Sequence, residues 1–318
     1  MASPSMRKPA CAPDTGDLTS MSKSQPSIIR TGLFSSVDKI RLTIGFVITA
    51  VLSLSVHDIL MRVFNAPYPS EPINSVVPGA LNHAALAVGA MWLAQCIKGR
   101  LSGSSATKRA GILFLLLCGM SEMLRDWFMN AWCFGSPAGH WISMALTEVA
   151  KTLPYMVIAT GTTIMSERVR HASLRWLGAA ALGLAAGVAL VPLSAWMQDE
   201  IMAALAPWTP TDMWCHMPYG PKVLIPAYAT FVEPALASLF CVALVWPALP
   251  QRTSRRVLTF MLLVLALKMQ LLMPFLYVIY ASIPPLTALA SMGQFALEAA
   301  ALGILMALTW RHASGKPR

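Results

Sequence analysis

The sequence predicts an all-α fold, a polytopic membrane bundle of eight transmembrane helices. Three observations predict it: the composition, the length of the apolar blocks and the placement of the basic residues. Of 318 residues, 56% are apolar and only 12% are charged, with a mean hydropathy of +0.59. A soluble domain of this size has no interior large enough for so much apolar surface. The apolar residues fall in blocks of about twenty or more, the length a helix needs to cross about 30 Å of hydrocarbon at 1.5 Å per residue. Lys and Arg collect in alternate connections, which orients the blocks.

Residues 1–36, rich in Ser, Pro and charge, lack the short apolar core and cleavage site of a signal peptide. They read as a disordered cytoplasmic tail, with Met6 and Met21 as alternative starts. The membrane domain is expected over 37–312, followed by a second cytoplasmic tail at 313–318. Its first span, Ile40 to Met61, lies between Lys39 and Arg62; the second, Val76 to Ile97, closes with Trp92 and Lys98. The third, Ala110 to Trp132, follows Lys108 and Arg109 and ends among aromatics, and the fourth, Trp141 to Met165, ends before Arg168 and Arg170. Trp176 to Met197 opens just after Arg175, and Val223 to Leu249 just after Lys222. The seventh span, Val257 to Tyr280, follows Arg252, Arg255 and Arg256, and the eighth, Leu286 to Trp310, is stopped by Arg311.

Orientation follows from the charges. The first tail with Lys39 and Arg41 at the membrane edge, the connections after the second, fourth and sixth spans, and the second tail with Arg311 hold 19 of the 24 basic residues. The other side holds Arg62 and Lys222, and Arg125, Lys151 and Lys268 fall within spans. Positive-inside places both termini in the cytoplasm; the membrane expected is a plasma membrane, which is the inner membrane if the source is Gram-negative. Trp92, Trp176, Trp246 and Trp310 mark the cytoplasmic helix ends, and Trp127, Trp132, Trp141, Trp196, Trp208 and Trp214 the outer ones. The net charge of +10 is spread over five segments, so it signals topology and argues against a nucleic-acid partner. Of six cysteines, only Cys133 and Cys215 fall in outer connections. There they either pair in an oxidising compartment or stand as two separate interfacial thiols.

Two four-helix units are suggested by internal echoes, residues 40–165 against 176–310. Phe114-Leu115-Leu116-Leu117 with Glu122-Met123 matches Phe260-Met261-Leu262-Leu263 with Lys268-Met269 at an offset of 146. His83 matches Glu233, and Glu148 matches Glu298, at an offset of 150. Apolar helices of low complexity also align with each other by chance. A true repeat of this kind relates parallel bundles by an axis along the membrane normal.

The sharpest functional signal is charge inside the membrane, because an ionised group at the bilayer centre costs about 2.5–3.5 kcal/mol on insertion scales. Asp58, Glu122, Asp126, Glu148, Glu233 and Glu298 face only Arg125, Lys151 and Lys268 within the spans, with His57 and His83 nearby. Glu122 with Arg125, and Glu148 with Lys151, have helical spacings that allow pairing. Each has a structural alternative: Arg125, Asp126, His57 and Asp58 as interfacial groups, Glu148 with Lys151 as a helix clasp, His83 as a hydrogen-bonded buried residue. Pro154, Pro234 and Pro274 follow the charges closely and free carbonyls one turn upstream. Most of the charges fall between the midplane and the outer surface, which predicts a polar cavity opening outward above an apolar cytoplasmic half.

These residues lead to a permease-like protein that binds a cationic or proton-coupled small solute. Glu148, Glu233 and Glu298 would be its binding acids, Lys151 and Lys268 the counter-charges, and Glu122, His83 and Asp58 further members of the site. Two readings stand beside it: an embedded enzyme using a carboxylate such as Glu122 or Glu148 with His83 as acid and base, and a non-catalytic sensor or assembly subunit whose charges bind a partner's helix. The sequence carries no GxSxG, HExxH, CxxC or phosphate-binding glycine loop. No metal site and no cofactor is therefore expected, and the expected partners are the lipid bilayer and a small cationic solute or proton.

Overall fold

The structure, a computed structural model, describes residues 33–35, 37–69, 73, 75–133, 138–208, 215, 216 and 219–315. Most of the first expected tail, half of the second, and Trp214 lie outside the described residues. Within them the chain is helical, with no strand: α1 (Lys39–Arg62), α2 (Val76–Arg100), α3 (Ala106–Met120), α4 (Met123–Cys133), α5 (Ala138–Lys151), α6 (Leu153–Arg168), α7 (Ala172–Ala185), α8 (Val191–Leu205), α9 (Pro221–Thr230), α10 (Val232–Val245), α11 (Thr253–Leu267), α12 (Met273–Tyr280) and α13 (Pro285–Ser314). Local chemistry sets many of the starts. Asp38 caps α1 by accepting from the N–H groups of Ile40 and Arg41, Ser75 caps α2 and Ser105 caps α3. Prolines open α6, α8, α9, α12 and α13, where a missing N–H costs no helical bond.

Six helices, counting collinear pairs as one, are long and apolar enough to cross a bilayer: Lys39–Arg62, Val76–Arg100, Trp141–Arg168, Ala172–Leu205, Pro221–Ala248 and Pro285–Ser314. The chain is thus a multi-pass helical membrane protein. Its perimeter agrees, since Ile44, Val47, Ile48, Val51 and Leu52 of α1 point outward, where only lipid tails make a favourable solvent.

The third and seventh apolar blocks, expected as continuous spans, are each interrupted. α3 stops at the cap residue Ser121 and α11 at the cap residue Lys268, and the next residue in each case has a positive φ, Glu122 at 59° and Met269 at 55°. The two interruptions share one form and lie 147 residues apart (121 to 268), one residue more than the match read from the apolar pattern. A left-handed residue without glycine costs roughly 1–3 kcal/mol and persists only where its surroundings hold it. The blocks at 138–168 and 221–248 also change helix, at Thr152 and Phe231, just before Pro154 and Pro234. A π turn at Ala186–Leu190 precedes Pro192, which cannot donate to the helical ladder.

Neighbour relations come in matched pairs. α1 packs along α13, as α5 and α6 pack along α8 and α7; α3 and α4 lie on α6 and α5, as α11 and α12 lie on α13. Likewise α2 meets α6 and α10 meets α13, while α10 meets α3 and α2 meets α11. The first helix therefore belongs with the last ones, not beside α2. The α2–α7 crossing is the tightest: a Cβ on Gly183 would sit 2.2 Å from the His83 carbonyl oxygen, and one on Gly187 would sit 2.4 Å from Ala80 Cα. Toward the basic end, the core between α2, α3, α10 and α11 is apolar, built on Leu93, Leu113, Leu117, Val242, Phe260 and Val264. At the basic end itself, Arg109 grips Glu167 at 2.6 Å and Lys98 donates to the Ser166 carbonyl at 2.8 Å.

Candidate functional site

The two interruptions bring their polar groups together in the middle of the bundle. Glu122, buried, accepts hydrogen bonds from Arg125 and from Lys268, and Lys268 Nζ also lies 3.7 Å from Glu298 Oε1 of α13. Both cations also face the ring of Phe231, the residue between α9 and α10, at 5.4 and 5.7 Å from its centroid. Lys268 thus pairs most closely with Glu122, not with Glu233. This clasp holds the left-handed backbone of Glu122.

Glu233 has a different task. Its carboxylate accepts from the N–H of Leu124 at 3.0 Å and of Arg125 at 2.6 Å. These are orphan donors in the first turn of α4, so a side chain from the neighbouring rod caps the restarted helix and meets the positive end of its dipole.

Above the clasp, in the half of the bundle that carries the Cys133–Cys215 disulfide (Cα–Cα 5.1 Å), is a cavity of about 960 Å³. Glu122, Lys268, Glu298, His83, Asp58 and Lys151 all contribute to its lining. Glu148 and Glu233 stand behind the wall, Glu148 bound to Lys151 at 2.5 Å in the spacing of one helical turn. Asp58 pairs with Arg62 at 2.8 Å, and Arg62 also donates to the Tyr219 carbonyl at 2.6 Å. His83 is bonded through Nδ1 to the Gly79 carbonyl of its own helix at 2.8 Å, and the ring of His57 lies on Phe295 with centroids 4.7 Å apart.

Arg125 and Asp126, which the surrounding aromatics would assign to the interface, line the cavity as well. The signal for them was the i, i+3, i+4 spacing with Glu122. Asp126 is exposed within the cavity, and no hydrogen bond or ion pair holds its carboxylate among the described residues. Tyr155, buried in α6, adds its ring to the lining, a contribution that no spacing in the sequence announces. Among the described residues no group of three or more His, Cys, Asp or Glu is placed to hold a metal ion.

Comparison with known proteins finds no match to a family model, to a curated protein or to a solved structure.

Proposed function

We propose that this chain is a permease-like protein of the plasma membrane, with eight spans and both termini in the cytoplasm. It binds a cationic or proton-coupled small solute in an intramembrane cavity open to the outside. The observation that carries the reading is the cavity itself, which reaches down to the clasp of Glu122, Arg125, Lys268 and Glu298 and is closed below by an apolar core. Buried charge at such depth marks a path or a binding site for ions or solutes.

The eight-span count is supported by the interrupted rods. Residues 106–133 and 253–280 cover 28 positions each, about 42 Å of helix at 1.5 Å per residue, and each follows its neighbour through both of its halves. A 4+4 parallel repeat is supported by the twin interruptions and the paired neighbour relations, with α1 and α7–α8 exchanged between the two bundles. An axis between the bundles would pass through the cavity floor, where transporters built from repeats hold their substrates.

The charges favour this reading over the two others. Glu122, Glu148, Glu298 and Lys268 are turned inward, away from the lipid-facing perimeter where a partner's helix would meet them. No carboxylate is hydrogen-bonded to His83 among the described residues, so the acid–base pair of an embedded enzyme is not assembled.

Proteoliposomes enclosing a pH-sensitive dye test the proposal. Under an imposed potential, or on addition of outside methylammonium at a concentration high enough to saturate even a weak site, vesicles with the protein should change internal pH faster than empty ones, and Asp126→Asn should abolish the difference. Protein vesicles that match empty ones in both assays would contradict it.

A further inference from the structure

The charge balance of the cavity, taken with its walls, narrows the solute. Glu233, behind the wall, is set apart because its carboxylate is held by the N–H groups of Leu124 and Arg125. Of the other acids, Asp58, Glu122, Glu298 and Asp126 line the cavity and Glu148 lies behind Lys151, and against these five stand Arg62, Arg125, Lys151 and Lys268. Counting histidine as neutral, one carboxylate is in surplus. Geometry says which of the five it is: the other four are each in an ion pair, and Asp126 is in none among the described residues. It is also the acid that stands exposed in the cavity.

The rest of the lining suits an apolar guest. The rings of Tyr68, Tyr155, Tyr219, Tyr228 and Phe295 line the same space, and α1, α4 and the seventh-block interruption add Met61, Met129 and Met269. Aromatic faces attract cations through their quadrupole, and thioethers mould to varied shapes. A small metal ion suits the site less well, because among the described residues no group of three or more His, Cys, Asp or Glu is placed to hold one. The volume of about 960 Å³ is at the upper end for drug-sized ligands.

We propose that the solute is a bulky organic monocation with apolar substituents, an ammonium or similar onium ion, whose charge rests on Asp126 while its substituents lie against the tyrosines, Phe295 and the methionines. This rests on the permease reading and adds the class of substrate. Selectivity then comes from charge and bulk together: a neutral molecule of the same shape lacks the attraction to Asp126, a small ammonium lacks the wall contacts, and a dication leaves one charge unmatched.

Tetraphenylphosphonium is the probe. Equilibrium dialysis against the detergent-purified full chain, with empty micelles subtracted, should show saturable binding at one site. Asp126→Asn should weaken it at least about tenfold, the change expected for loss of about 1.4 kcal/mol, while Asp126→Glu retains it. Since Asp126 has no pair to lose, Asp126→Asn should fold as the parent does, checked by gel filtration and thermal unfolding. On the wild-type protein alone, neutral triphenylphosphine oxide should fail to compete, and methylammonium should compete only at far higher concentration. Binding no greater than to empty micelles, binding unchanged in a folded Asp126→Asn, or equal competition by the neutral analogue would overturn the assignment. If protein vesicles still respond to potential or methylammonium when tetraphenylphosphonium does not bind, the substrate class falls and the permease reading stands. If both responses are missing, both fall.

Discussion

Lys268 is the residue on which most of the buried charge depends, because it contacts both Glu122 and Glu298. In Lys268→Met, Glu122 keeps Arg125, and Glu298 is left buried without a partner. Breaking a buried pair in this way destabilises by about 3–5 kcal/mol, so the thermal midpoint in detergent should fall well below the parent's. Adding Glu298→Gln should restore most of the loss. Adding Glu233→Gln should restore none and lower stability further, since Glu233 serves the first turn of α4 and not Lys268. Equal rescue by the two second changes would refute the separate roles. The positions of these acids were legible in the sequence from the cost of charge in hydrocarbon. Spacing also showed the pair of Glu122 with Arg125, but not the partners on other helices: Glu233 reaches Leu124, and Lys268 reaches Glu122, only after rods distant in sequence have packed. Asp126 was obscured by its setting among Trp127, Phe128 and Trp132, which reads as an interface belt until the third block is seen to break at Glu122.

At the scale of elements, the apolar blocks were readable because span length is fixed by the bilayer, and their boundaries match the helices to within a few residues in most cases. The interruptions were harder to read. Proline marked where α6 and α12 begin, but the turns at Glu122 and Met269 use residues with no preference for positive φ and depend on contacts to hold them. Close helix approach was equally hidden, since a glycine in a membrane helix has no mark saying whether a neighbour leans on it. Gly183 is such a contact: Gly183→Ala should push α7 off the His83 carbonyl and cost about 1–3 kcal/mol by overpacking. Gly79→Ala, with no atom within 4 Å of the new Cβ, should be neutral or slightly stabilising. Thermal unfolding of the two variants side by side decides the matter, and similar midpoints would show that the α2–α7 crossing is looser than described.

For the whole molecule, the sequence supplied the membrane class and an orientation, because charges flanking each block are local information. The pairing of α1 with α13, and the cavity among the packed helices, are products of long-range packing that one sequence does not display. The central claim is that a water-filled polar cavity enters the bundle from outside and ends at the clasp. Asp126→Cys in a Cys118→Ser background tests it most directly, by treating intact cells with a membrane-impermeant, positively charged thiol reagent. Rapid modification is expected at position 126 from the outside, as at Pro69→Cys, and none at Arg170→Cys or at Leu117→Cys in the apolar core below. Modification at 170 in intact cells, or at 126 only after the cells are opened, would contradict it.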